Sequence, residues 1–146
     1  MAEILMNRQE VYSYLLDVFP ELFPEDHSPY DVVSINQDEA VLAFQATETH
    51  LRPGGTVSGP ALMTLADLAM YVVILAHIGP VALAVTTNLN INFMRKPSTG
   101  RLLGKARLLK LGRSLAVGDV SITSEFEPEK VVAHATLTYS IPPLKS

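Results

Sequence analysis

The chain has 146 residues, enough for one domain with a sizeable core and no need of covalent staples. Its 48% hydrophobic and 18% charged residues fit an ordered globular protein, and the absence of cysteine excludes disulfides, thiolate metal sites and a cysteine nucleophile. A formal net charge of −4 argues against nucleic acid as the main partner.

The N-terminus, Met1-Ala-Glu-Ile-Leu-Met6, starts acidic and lacks the basic head and cleavage site of a signal peptide, so a cytoplasmic protein is expected. Ile4, Leu5, Val11, Tyr12, Leu15, Leu16 and Phe19 recur at spacings near three and four and predict a helix over 3–19, stopped by Pro20 and Pro24. Residues 1–24 thus read as a helical extension on a single domain spanning 1–146, followed by a loop at Glu25–Pro29 that carries a solvated His27. Tyr30–Gln37 and Ala40–Thr47 read as a hairpin turning at Asp38-Glu39.

Next comes a glycine-rich turn, Arg52–Gly59, and then an apolar run from Pro60 to Ile78. Pro60 suits a first helical position and Gly79-Pro80 supplies a stop, so a long central helix over 60–78 is predicted. So apolar a helix must be buried on nearly every side, and its one carboxylate, Asp67, is costly there unless paired, hydrated or used. A span across a membrane is disfavoured by the same Asp67 and by the shortness of the uncharged piece after it. A partly desolvated Asp67 would gain basicity and could act as a base near neutrality; the plain structural alternative pairs it with Arg52 or Thr64.

Past Gly79-Pro80 the pattern becomes β: a strand over Val81–Met94 with Asn88, Asn90 and Asn92 on one face, a turn at Arg95–Gly100, strands over Leu102–Leu111 and Leu115–Phe126, a turn at Glu127–Lys130, and a last strand over Val131–Ile141. The economical architecture is α+β, an antiparallel sheet wrapped around the helix 60–78. The four histidines, His27, His50, His77 and His134, are scattered without ligand spacing, so no metal is expected, and His134 has no acidic pattern near it. His77 in the last helical turn is explained by the helix dipole.

In order and spacing these residues resemble the hotdog-fold acyl-CoA thioesterases, specifically the phenylacetic acid degradation family. That family shows His-x-Asn, a glycine, then His-Gly-Gly and a helix carrying Leu-x-Asp. This chain reads His50-Leu51-Arg52, Gly55, Ser58-Gly59-Pro60 and Leu65-Ala66-Asp67 at matching distances. Asn90–Pro97 is similar to the family's next strand and turn, and Leu111-Gly112-Arg113-Ser114 to its following hairpin, so the likeness runs over roughly residues 30–141.

The resemblance implies hydrolysis of an acyl-CoA thioester, with Asp67 as nucleophile or general base, the Gly59 N–H polarising the thioester carbonyl, and Thr86 positioning the attacking water. It implies a homodimer or a dimer of dimers whose site takes its Asp and its Gly from opposite subunits, with coenzyme A, part of the substrate and the only cofactor-like group, along the interface. Substrate contacts are expected from His50, Ser58, Asn90, Arg95, Lys96, Arg113 and Ser114, the basic residues facing the phosphates of coenzyme A.

The chain departs from the family at Arg52, where relatives carry an asparagine, at Ser58 for a histidine, and at Pro60, which lacks the next N–H along the helix start. Arg52 either binds a carboxylate on the acyl group or the oxyanion, or pairs with Asp67. Two rivals follow. A non-catalytic acyl-CoA binding or sensing module would bind without thiol release. A hydratase or dehydratase on this scaffold would pair a histidine with the helical acid, and none stands near Asp67.

Overall fold

The structure is a computed structural model that describes residues 3–23, 28–81 and 83–143. These form α1 (Arg8–Val18), β1 (Tyr30–Ile35), β2 (Glu39–Ala46), α2 (Gly59–Ile78), β3 (Val85–Phe93), β4 (Gly100–Leu111), β5 (Leu115–Ser124) and β6 (Glu127–Ser140). The expected loop at Glu25–Pro29 and His27 fall mostly outside the described residues.

Helix α2 is punctuated as its sequence demands. The Ser58 hydroxyl accepts the Ala61 N–H at 3.2 Å, Pro60 fills the first turn, and Gly79, with φ +88°, ends the helix while its own N–H reaches the Leu75 carbonyl at 2.9 Å. The strands form one antiparallel sheet in the order β1-β2-β4-β5-β6-β3, and α2 touches all six of them. Between Leu65 and His77 every residue is buried except Asp67. By length and hydropathy α2 could cross a membrane, but the sheet already encloses its apolar surface. The close fit needs Gly118 on β5, where a Cβ would stand 2.5 Å from the Arg107 carbonyl and 2.7 Å from the Met70 thioether.

Four expectations shift. Helix α1 begins at Arg8 rather than near residue 3, because Asn7 and Glu10 form a reciprocal capping box at 2.9 and 3.0 Å. The preceding residues instead run to the far end of α2, where the Leu5 and Met6 N–H groups donate to the Ala76 carbonyl. The first hairpin turns on Gln37-Asp38, one residue earlier than expected, with Asn36 and Glu39 closing it. Strand β3 starts at Val85, since the Val81 carbonyl is taken by the Tyr71 hydroxyl and the Ala84 N–H and not by a ladder.

Finally, the β5–β6 turn lies at Glu125-Phe126, so Glu127–Lys130 belong to β6 rather than to a turn. His77 is buried, with its two ring nitrogens against the Val73 carbonyl, at 2.8 Å, and the Gln37 carbonyl, which ties α2 to the first hairpin.

Candidate active site

The antiparallel register of β3 and β6 sets Thr86 opposite Tyr139, and the side chains of both reach α2 at Asp67. Thr86 Oγ1 donates to Asp67 Oδ1 at 2.5 Å, and the Tyr139 hydroxyl lies 2.7 Å from the same oxygen and 2.9 Å from the Asp67 carbonyl. Burial first, and the adjacent Asp67 charge second, push the Tyr139 phenol well above its ordinary range, so it stays a donor. Among the described residues no donor reaches Asp67 Oδ2. The carboxylate is therefore oriented through one oxygen and open at the other, as a base or nucleophile requires. It opens into a cavity of about 350 Å³ bounded by Phe19, Leu22, Leu68, Tyr71 and Val85.

A second cleft, of about 340 Å³, lies at the start of α2. The loop leading to the helix folds back through Arg52 N–H to the Thr56 carbonyl at 2.8 Å, and Val57 N–H ties it to the Pro97 carbonyl at 2.9 Å. That bond sets Arg52 beside Arg95 and Lys96 around the first helical residue, Gly59. No acceptor among the described residues takes the Gly59 N–H, and a Cβ there would stand 3.3 Å from the Phe93 ring that covers it. A free N–H at the positive end of a helix dipole is suited to polarising a carbonyl oxygen. Arg95 is partly engaged, its Nη1 donating to the Val131 carbonyl at 2.7 Å.

Gly59 and Asp67 are eight residues apart on one helix, hence about 12 Å along its axis. One thioester cannot touch both within a single chain.

Among the other expected site residues, Ser58 lends its hydroxyl oxygen to the helix cap. His50 is a local fastener, its Nδ1 accepting the Thr47 N–H at 3.0 Å and its ring edge-on to Phe44. Asn90 is exposed on β3 and lines neither cleft. Arg113 and Ser114 line a separate cavity of about 500 Å³ with Ile78, at the opposite end of α2 from Gly59.

The structural alternatives for Asp67 fail within the chain. No carboxylate pairs with Arg52 among the described residues, and the Thr64 hydroxyl donates to the Pro60 carbonyl at 3.0 Å. His134 does have an acidic partner, Asp119 at 3.0 Å, which cross-strand pairing supplies. Among the described residues no group of three His, Cys, Asp or Glu side chains could hold a metal.

Tyr139 was not singled out from sequence. Its signal is its place on the alternating core face of β6, with Ala135 and Leu137, where a buried hydroxyl needs a partner.

Residues 54–131 match the family model of the thioesterase superfamily. The chain belongs to that superfamily. Its sheet wrapped around α2 is the hotdog fold, and its class of chemistry is thioester hydrolysis. This superfamily member is similar to a candidate thioesterase from Silicibacter sp. TM1040, at 48% identity, with 97% of this chain and 95% of that chain covered and a TM-score of 0.86.

It is also similar to a variant of the phenylacetic acid degradation protein PaaI from Thermus thermophilus, at 28% identity, 77% and 93% coverage and a TM-score of 0.68. A further relative is the 1,4-dihydroxy-2-naphthoyl-CoA hydrolase of Listeria monocytogenes serotype 1/2a (strain 10403S), 24% identical over 107 residues, which are 73% of this chain and 87% of that protein.

Proposed function

We propose that this superfamily member hydrolyses acyl-CoA thioesters at a site shared between two copies of the chain. The observation that carries the reading is the one-sided hold on Asp67: Thr86 and Tyr139 fix Oδ1, and Oδ2 is left for water or for the thioester itself. In the general-base route, Asp67 takes a proton as water attacks the carbonyl carbon, the C–S bond breaks, and the thiolate of coenzyme A leaves and is protonated. In the nucleophilic route, Oδ2 attacks the carbonyl carbon, the C–S bond breaks and expels the thiolate of coenzyme A, which is protonated, and water then cleaves the mixed anhydride to the free acid and the Asp67 carboxylate. In both, negative charge grows on the carbonyl oxygen, and the Gly59 N–H of the other copy stabilises it. Arg52 and Lys96 beside that N–H suit the anionic parts of the substrate, the phosphates of coenzyme A or the oxyanion.

The named activity of the Listeria relative, on a naphthoyl-CoA, supports coenzyme A as the leaving group. Thiol release from a panel of short, long, aromatic and dicarboxylic acyl-CoAs tests the reading. The wild-type protein should turn over at least one class, and Asp67→Asn should lose that turnover while retaining the fold, because the amide is nearly isosteric but cannot take the proton. Unchanged turnover in Asp67→Asn would assign the chemistry to another group.

A further inference from the structure

We infer that Phe93 is a positioning residue for the reaction: its ring closes one flank of the Gly59 N–H, keeps bulk water from it, and is the reason position 59 is a glycine. This rests on the Gly59 N–H being the donor to the oxyanion, and it names the side chain that makes that donor effective.

The period of a strand brings the ring there. Leu89, Ile91 and Phe93 share one face of β3, and the first two pack against the core. Phe93 stands one step beyond the end of the core and is 50% exposed. Past it the ladder closes, with the Met94 and Arg95 N–H groups both donating to the Val132 carbonyl, at 2.8 and 3.1 Å. The Val57–Pro97 bond draws the start of α2 onto the turn that follows. Strand end and helix start are thus fixed against each other, and the Phe93 ring lies where they meet.

Three ring carbons stand 3.3, 3.7 and 3.8 Å from the place a Gly59 Cβ would take. In a helix the Cα–Cβ bonds tilt toward the N-terminus, the direction in which the first N–H groups also point. The ring therefore sits beside the Gly59 N–H, which opens on its other side into the cleft of about 340 Å³. Arg52, Arg95 and Lys96 line that cleft, and such cations carry water with them. A hydrated N–H must shed its water as the oxyanion forms. A donor walled by an aromatic ring is ready beforehand, and acts more strongly in the drier surroundings.

Glycine at position 59 follows from the same contact. Its φ does not lie in the left-handed region, and the helix cap comes from Ser58, so the backbone would accept alanine. What a side chain would meet there is the ring, at less than ordinary contact distance.

The test measures kcat and KM on acetyl-, phenylacetyl-, decanoyl- and glutaryl-CoA, with sedimentation at the assay concentration. It compares wild type with Phe93→Ala, Phe93→Leu, Gly59→Ala and the double variant Gly59→Ala/Phe93→Leu. Phe93→Ala should lower kcat by roughly 10- to 100-fold, less than deleting a whole oxyanion donor, because the N–H stays and only its cover goes. The fall should be alike for every acyl group turned over, with KM changed by less than about threefold and sedimentation as in wild type. Phe93→Leu keeps an apolar cover and should retain most of the kcat. Gly59→Ala should lose roughly tenfold in kcat although its N–H is intact, and the double variant should regain that loss, since leucine leaves room for the new methyl group.

That suppression decides the question even where Phe93→Ala fails to fold. Wild-type kcat in Phe93→Ala, or costs that multiply in the double variant, overturns the role of Phe93 alone. So does a Phe93→Ala protein whose activity returns as higher concentration restores its association, for the ring would then be an interface contact only. Absence of thiol release across the panel in wild type overturns the underlying enzymatic reading as well.

Discussion

Tyr139 holds Asp67 twice, at the side-chain oxygen and at the backbone carbonyl, so a single hydroxyl couples the carboxylate to the sheet. Its hydroxyl is committed to the carboxylate proposed to react, and on that reading it is a positioning residue. Tyr139→Phe should therefore lower kcat by roughly 10- to 100-fold with KM little changed, since the lost bond to a charged group is worth about 1.5–3 kcal/mol. A fall in affinity with kcat intact would move Tyr139 to the substrate side.

Arg52 has the opposite geometry, exposed at the Gly59 cleft and without a carboxylate partner among the described residues. Arg52→Gln should reduce kcat/KM by roughly 10- to 100-fold for every acyl group alike, because the phosphates and the oxyanion are common to all substrates. Higher activity in this variant would instead reveal an inhibitory pair with Asp67 of a second copy.

At the scale of elements, buried phenols make the fold sensitive to alkali. Burial raises Tyr30 from 10.0 to about 12 and raises Tyr71 and Tyr139 further, with Tyr14 adding to the shift at Tyr71. The unfolded chain releases these protons near pH 10 and the folded chain retains them, so above that pH the native state binds more protons and stability falls as pH rises. Urea midpoints should be flat with respect to these groups below about pH 9 and drop from about pH 10 upward, by at most ~1.4 kcal/mol per pH unit for each phenol. A midpoint constant to pH 11 would mean that the phenols ionise without unfolding.

The elements themselves were legible to different degrees, for physical reasons. Helix α2 declared itself because Pro60 and Gly79-Pro80 bracket an apolar run, and Asp67 stood out as a lone charge within it. The start of α1 was misplaced because apolar spacing continues through Ile4 and Leu5, while the Asn7–Glu10 box decides where the helix begins. The role of Tyr139 depends on the register of β3 against β6 and on a contact 72 residues away in sequence, which no local pattern encodes. Phe19 read only as the last apolar position of the first helix, and the folded chain alone puts it, with Leu22, beside Asp67.

For the whole molecule, the edge strand β3 and the distance between half-sites point the same way. Among the described residues strand β3 pairs with β6 alone, and around it Met63, Val85, Phe93 and Met94 are 40–53% exposed. A second copy laid along this edge would cover them and could bring one chain's Gly59 to the other's Asp67. Subunit exchange checks this directly. Asp67→Asn and Gly59→Pro, the latter deleting the N–H, should each be inactive, and mixing them should restore roughly a quarter of wild-type activity, since half the dimers are mixed and each carries one intact site. No recovery after verified exchange would mean that Gly59 and Asp67 do not serve one shared site.

The two proposed half-sites share one helix, and this gives the segment between them an unusual tolerance profile. A point change at positions 60–66 alters packing and leaves Asp67 in place, but adding or removing one residue swings it by about 100° around the axis and shifts it about 1.5 Å along. The carboxylate would then turn away from Thr86 and Tyr139. Along this stretch the chain's length sets where Asp67 points, so insertions and deletions are shut out there, while the buried Leu62, Leu65 and Ala66 restrict composition for a separate reason, their packing in the core.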